Sequence, residues 1–76
     1  MNKIRRNQLN EAMKLLYQAQ EIIEACKDEE EDAFDNLPES IQGSERGETM
    51  EDYITYMEDA LGSIADAIDS ADEVFC

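Results

Sequence analysis

The chain has 76 residues, of which 20 are acidic and six are basic, so its formal net charge is −14 at pH 7. A balance this acidic disfavours direct binding to DNA, RNA or anionic lipid, because contacts between basic side chains and phosphates drive such binding. It suits a partner with a basic surface, although an acidic surface can also serve solubility alone. The length allows one small domain with a marginal core, for which self-association is a usual remedy.

Residue types that bind metals or carry out catalysis are scarce. The chain contains no histidine, and its two cysteines, Cys26 and Cys76, form no close pair of the kind that structural zinc requires. Three pairs of acidic residues are spaced three positions apart: Glu21/Glu24, Glu48/Glu51 and Asp66/Asp69. Mg²⁺-dependent all-α hydrolases use this spacing, but a chain this acidic also produces such pairs by chance. We therefore expect no metal, no cofactor and no enzymatic activity.

A first helix is predicted over about residues 5–35. Its apolar residues follow the alternating spacing of three and four positions that places side chains on one helical face: Leu9, Ala12, Leu16, Ala19, Ile23 and Cys26. The pattern meets Glu30 and continues at Ala33 and Leu37. Further apolar residues widen this face beyond what one neighbouring helix covers, namely Met13, Leu15 and Ile22. Pro38 disfavours the α conformation at Leu37 and ends the helix there or earlier.

A connection follows over about residues 37–47, with the only proline and two of the three glycines. Its segment "PESIQ" is able to form a helical turn of its own. Arg46 is surrounded by glutamates, and two interpretations follow. Either Arg46 forms a salt bridge that locks the connection, or Arg46 and Ser44 join the free N–H groups at the start of the second helix in a binding site for an anion.

A second helix is predicted over about residues 48–74, and Ser44 or Thr49 is placed to cap its start. Its apolar residues keep the helical spacing without interruption: Met50, Ile54, Met57, Leu61, Ile64, Ile68, Ala71 and Phe75. Tyr53 and Tyr56 lie near each other on this helix, either packed or as anchors of an interface. The short connection predicts an all-α, antiparallel helical hairpin that forms a single domain, residues 1–76. Its half-covered apolar faces predict self-association into a homodimer, as a four-helix or larger bundle.

The outer face of the second helix carries an acidic stripe with a period of seven residues, made of Asp52, Asp59, Asp66 and Glu73. Successive members are about 10.5 Å apart along a helix. Such a ladder of carboxylates can imitate a strand of phosphates and bind a basic protein surface. The alternative is a purely solubilising face, because the side opposite an apolar stripe has to be polar.

Two segments carry a resemblance to a group of known proteins. They are "AFDNLPESIQGSERGETME", residues 33–51, and "YMEDALGSIADAIDSADE", residues 56–73. In these segments the chain resembles a widespread group of short acidic proteins, mostly uncharacterised, that phages and prophages of Gram-positive bacteria carry and that share an LPES…SERGE turn. The resemblance implies an all-helical hairpin of phage or mobile-element origin, and it implies no catalytic residues.

These observations predict a non-enzymatic, phage-encoded binding protein. The leading hypothesis is that its acidic stripe occupies and inhibits a host protein that handles nucleic acid or acts in defence. A second hypothesis is an oligomeric sponge for an anionic signalling nucleotide, held by Ser44 and Arg46. A third is a structural or assembly part of the virion.

The N-terminal segment bears on the location of the protein. It is basic, but polar residues interrupt the apolar run that a signal peptide would need, among them Asn7, Gln8, Asn10 and Glu11. The chain also contains no apolar stretch of the roughly 20 residues that a membrane span requires. We therefore expect a protein of the host cytoplasm, with no membrane partner.

Overall fold

The computed structural model describes residues 1–75, which form three α-helices and one closing 3₁₀ turn. Helix α1 spans Lys3–Asp35, α2 spans Glu39–Gln42, α3 spans Glu45–Asp72, and the 3₁₀ turn spans Glu73–Phe75. Residues 1–75 contain no strand, so the predicted all-α class is confirmed. Cys76 lies outside the described residues.

The two long helices pack side by side and form a rod, whose Cα atoms extend over 58 × 15 × 15 Å. Residues 36–44 alone connect them. A stretch of this length reaches about 30 Å when fully extended, whereas α1 is about 50 Å long at 1.5 Å per residue. The helices can therefore contact each other along their length only if they run in opposite directions.

The line of contact between α1 and α3, which we term the seam, follows the predicted stripe on α3. Ile68 is 7% exposed, and the other stripe residues from Met50 to Ala71 are half-buried. Gly47 extends the seam toward the start of α3 and is buried. Phe75, at the other end, is exposed. The uninterrupted apolar spacing of this helix thus predicted its buried side.

On α1 the seam differs from the predicted stripe. Leu9, Leu16 and Ile23 lie on it as expected, and Ala19 is half-buried at its edge. The other residues of the seam are Met13, Gln20, Lys27, Glu30 and Phe34, whereas Ala12, Cys26 and Ala33 are exposed. The two alternatives are one residue apart and have the same spacing. Met13 and Phe34 bury more apolar area than alanines would, and Lys27 packs its aliphatic stem while its ammonium reaches carboxylates. Met13 is 7% exposed, and Ala12 and Cys26 are exposed.

The connection is an ordered structure, and α2 is the helical turn predicted for "PESIQ". The side-chain amide of Gln42 donates hydrogen bonds to the carbonyl oxygens of Phe34, at 3.1 Å, and Leu37, at 3.2 Å. Gly47 lies against the main chain of the same residue, where a Cβ atom would fall 2.0 Å from the Gln42 carbonyl oxygen. Gln42 therefore contacts both the end of α1 and the start of α3.

The start of α3 uses neither predicted cap in the expected way. Ser44 occupies the N-cap position, but its hydroxyl donates a hydrogen bond to the carbonyl oxygen of Ile41 and makes no capping bond to α3. Thr49 lies inside the helix, and its hydroxyl donates to the carbonyl oxygen of Glu45 at 2.9 Å.

In residues 1–75, no helix combines the length and the apolar character that crossing a membrane requires.

Candidate binding surfaces

The seam divides the outside of the helix pair into two flanks. Along a right-handed helix, the direction of successive side chains rotates about the helix axis in one sense, by about 100° per residue. Because α3 runs opposite to α1, a residue that precedes a seam residue by one position lies on the same side of the pair in both helices. A residue that follows a seam residue lies on the other side.

The first of these sides is free of charge over residues 12–26 and 53–70. We term it the neutral flank, and it consists of Ala12, Leu15, Ala19, Ile22 and Cys26 on α1 and Tyr53, Tyr56, Ala60, Ser63, Ala67 and Ser70 on α3. Its four large side chains are exposed, by 58% at Leu15, 65% at Ile22, 53% at Tyr53 and 65% at Tyr56. The helix pair thus presents a second apolar surface that neither of its own helices covers.

The opposite side, which we term the acidic flank, holds half of the acidic residues of the chain. They are Glu21, Glu24, Asp28, Glu31 and Asp35 on α1 and Glu48, Glu51, Glu58, Asp69 and Asp72 on α3. One basic residue, Lys14, lies on this flank, and it pairs with Glu11 at 3.9 Å. The charge of the molecule is therefore unevenly distributed around its long axis.

Lys27 offsets part of this charge from the seam. Its ammonium lies 3.8 Å from Glu24, 3.9 Å from Asp28 and 3.9 Å from Glu31, and its side chain is 19% exposed. All three carboxylates lie on α1. The acidic residues of α3 take part in none of the ion pairs that Lys14 and Lys27 form.

The predicted stripe on α3 is exposed and points away from α1. Asp52, Asp59 and Asp66 lie within the helix at its regular spacing, whereas Glu73 lies in the 3₁₀ turn after α3 ends. The stripe adjoins the acidic flank, so the two form one continuous acidic surface. Helix α3 as a whole carries nine acidic residues and one basic residue.

Arg46 is exposed and forms no ion pair with the glutamates of the connection within the part of the chain that the structure describes. The salt bridge that one interpretation placed there is therefore missing. The reason is helical geometry: Glu45 and Glu48 are one and two residues from Arg46 in α3, and side chains at those spacings do not face each other. Gln42 and Gly47 fix the connection instead.

The second interpretation of the connection placed an anion beside Ser44 and Arg46. The structure brings the two residues into the first turn of α3, but the hydroxyl proton of Ser44 is directed at the carbonyl oxygen of Ile41. Only the guanidinium of Arg46 and the backbone N–H groups of α3 are left to contact an anion there.

No metal-sized cluster of three or more cysteine or acidic side chains occurs in residues 1–75, and these residues enclose no cavity. The three predicted acid pairs are exposed. Glu21/Glu24 and Glu48/Glu51 lie on the acidic flank, whereas Asp66 belongs to the stripe and Asp69 to the acidic flank.

Sequence reasoning missed Gln42, Gly47 and the relation between the two flanks. A glycine in the first turn of a helix is a weak signal of close backbone approach, since glycine is a poor helix former. Gln42 has no such signal. The neutral flank becomes visible only when the register and the directions of both helices are known.

No protein-family model, no curated protein and no solved structure matches the chain.

Proposed function

We propose that this chain is a non-enzymatic, self-associating binding protein whose acidic surface occupies a basic surface on a host protein. The acidic surface comprises the acidic flank and the stripe Asp52, Asp59, Asp66 and Glu73. The observation that carries the proposal is its one-sided charge on a rigid support: nine acidic residues and a single basic one along α3, which is about 42 Å long.

Like charges held on one side of a rod repel each other, and a basic partner relieves that repulsion. A purely solubilising surface needs charge but has no need to concentrate it on one side. The complementary field of a basic partner also accelerates association, because it steers the approach of the two proteins.

The partner class follows from the chemistry of the surface. A row of exposed carboxylates on a straight helix offers a basic protein what a row of phosphates offers it, which is a series of anions along a line. A protein that handles nucleic acid has such a basic surface. The likeness of the turn to phage and prophage proteins makes a host nucleic-acid-handling or defence protein the proposed target, with inhibition by occupation as the mechanism.

Self-association, as a homodimer within a four-helix or larger bundle, is the second part of the proposal. Within residues 1–75, only Met13 and Ile68 are buried apolar side chains, each 7% exposed. A domain of this size with so small a core is marginal by itself, and burial of further apolar surface in an oligomer supplies the missing stabilisation.

A pair of matched charge reversals tests the function. Asp59→Lys with Asp66→Lys changes the outermost positions of α3, and Glu11→Lys with Asp32→Lys changes the outermost positions of α1 by the same total charge. We expect wild-type protein and the α1 variant to capture the same protein from nuclease-treated host lysate, and the α3 variant to lose it. Equal capture by both variants would contradict the proposed contact surface.

A second candidate function is a sponge for an anionic signalling nucleotide. It is favoured by the exposed Arg46, which takes part in no ion pair with its neighbouring glutamates. In that case a cyclic or linear signalling nucleotide raises the melting temperature of the protein through preferential binding to the folded state. Arg46→Ala abolishes the rise, while Asp59→Lys with Asp66→Lys leaves it in place.

A further inference from the structure

We infer that the neutral flank is the surface on which a second copy of this chain docks, so that two helix pairs stack flank to flank as a four-helix bundle. The inference rests on the self-association proposed above and assigns it a surface. Three independent features of the structure lead to a second copy: the accessible area of the monomer, the distribution of charge and the pattern of side-chain sizes.

The accessible area indicates how much surface is left to cover. The chain exposes 5630 Å². A compact monomer of its mass, 8.7 kDa, exposes about 4,700 Å² by the usual scaling of area with mass, which leaves an excess of about 900 Å². A protein–protein interface of standard size removes about 800 Å² from each partner. One further chain on one face therefore accounts for the excess.

The distribution of charge selects the face. Two copies of a chain with a net charge of −14 repel each other at most orientations. The neutral flank carries no charged residue, so two copies can bring it together without opposing like charges. The acidic flanks then lie on the outer sides of the bundle, separated by two helix layers of about 8–10 Å each. At physiological salt, repulsion over that distance is largely screened, because the Debye length is about 8 Å.

The side chains of the neutral flank have the sizes that close packing of helices requires. The small residues Ala12, Ala19, Ala60 and Ala67 allow the helices of another copy to approach. The large side chains Leu15, Ile22, Tyr53 and Tyr56 project between them, as ridges that fit grooves. Tyrosine suits such a surface, because its ring is buried in the interface while its hydroxyl reaches solvent or a polar partner.

Two tyrosines provide a matched test of the assignment. Tyr56 lies on the neutral flank and Tyr17 on the opposite side, where it follows Leu16, and both are exposed, by 65% and 50%. Tyr56→Glu places a charge in the proposed interface, whereas Tyr17→Glu makes the same change outside it. Sedimentation equilibrium over a range of concentrations measures the dimer dissociation constant of each full-length variant, and circular dichroism verifies its helical content.

We expect wild-type protein to be a dimer or a larger assembly at micromolar concentration, and Tyr17→Glu to keep its dissociation constant within a few-fold. Tyr56→Glu should raise the constant at least tenfold, as burial of an unpaired charge is costly. Leu15→Gln with Ile22→Gln, which removes apolar area without adding charge, should act in the same direction.

A label on Cys26 gives a measurement that does not depend on these substitutions. With Cys76→Ser as the background, Cys26 of the neutral flank is the only thiol. We expect its alkylation rate to fall as protein concentration rises through the dissociation constant. A rate independent of concentration in an assembled protein, or equal effects of Tyr56→Glu and Tyr17→Glu, would overturn the assignment of the flank and leave self-association standing. A wild-type monomer at about 100 micromolar, about a hundredfold above a micromolar dissociation constant, would overturn both.

Discussion

The main chain of Gly47 lies so close to Gln42 that a Cβ atom at position 47 would fall 2.0 Å from the Gln42 carbonyl oxygen. Gln42 also donates side-chain hydrogen bonds to the carbonyl oxygens of Phe34 and Leu37. One residue of α2 is thus in contact with the end of α1 and with the first turn of α3. This contact sets where α3 begins and how it returns along α1.

Gly47→Ala should therefore destabilise the fold, although alanine is the better helix former. The new methyl group has to displace the backbone of α2, and we expect a loss of about 1–3 kcal/mol in the free energy of unfolding. The measurement is urea unfolding at a fixed protein concentration.

Gly62→Ala is the matched control for that change. Apart from the adjacent backbone of α3 itself, no atom lies within 4 Å of a Cβ atom placed at this position. Alanine there should raise stability by about 0.5–1 kcal/mol through its helix propensity. Equal effects of the two substitutions on the free energy of unfolding would show that the close approach at Gly47 does not affect stability.

Gln42→Glu tests the hydrogen bonds of the same contact with almost no change of shape. The carboxylate cannot donate to the carbonyl oxygens of Phe34 and Leu37, and it places negative charge beside them. We expect a loss of about 1–3 kcal/mol, the cost of two missing hydrogen bonds. Gln18→Glu, at an exposed position of α1, adds the same charge and should change the free energy of unfolding by less than about 0.5 kcal/mol. A smaller loss for the Gln42 variant than for its control would refute the role of the amide.

Lys27 lies on the seam with its ammonium within 4 Å of three carboxylates. Substitutions can separate the contribution of its packed aliphatic stem from that of its charge. Lys27→Met keeps the length of the packed stem and should alter stability by no more than about 1 kcal/mol, since long ion pairs near the surface contribute little. Lys27→Glu places a fourth carboxylate among Glu24, Asp28 and Glu31 and should lower the melting temperature clearly. The loss should shrink in high salt, and a loss that salt leaves unchanged would argue against a charge effect.

The net charge of −14 predicts an increase of stability with salt. Repulsion among the carboxylates destabilises the folded rod, and screening by salt reduces that repulsion. Thermal unfolding in 0.02 M and 0.5 M sodium chloride (about 20 and 4 Å Debye length) should give the higher melting temperature in the higher salt. Asp59→Lys with Asp66→Lys should show a smaller rise. A melting temperature that falls with salt would mean that the ion pairs of Lys14 and Lys27 outweigh the repulsion.

How far the sequence predicted the structure depended on the element. On α3 the stripe takes Ile54, Leu61 and Ile68 rather than their apolar neighbours, and it was predicted correctly from Met50 to Ala71. On α1 the apolar neighbours Ala12 and Met13 offer two registers, and the choice between them depends on what α3 packs against. The salt bridge of Arg46 was inferred from neighbours in sequence, whereas the side-chain directions on a helix keep those neighbours apart.

A candidate surface was predictable from the sequence where it lies on one helix, but not where it combines residues of two helices. The spacing of Asp52, Asp59 and Asp66 placed them together on one outer face, because it depends on the period of a single helix. The neutral flank combines residues of two helices, such as Ile22 and Tyr56, and it requires their relative direction and register. Gln42 has no pattern at all, since its contacts come from the path of the connection.

The most direct test of the acidic surface as an imitation of phosphate is a displacement measurement. The protein captured from host lysate is bound to a fluorescent oligonucleotide, and anisotropy is followed as this chain is added. We predict that wild-type protein and the variant Glu11→Lys with Asp32→Lys release the oligonucleotide, that Asp59→Lys with Asp66→Lys does not, and that rising salt weakens the effect steeply. A captured partner that keeps its oligonucleotide while it binds wild-type protein would contradict the account.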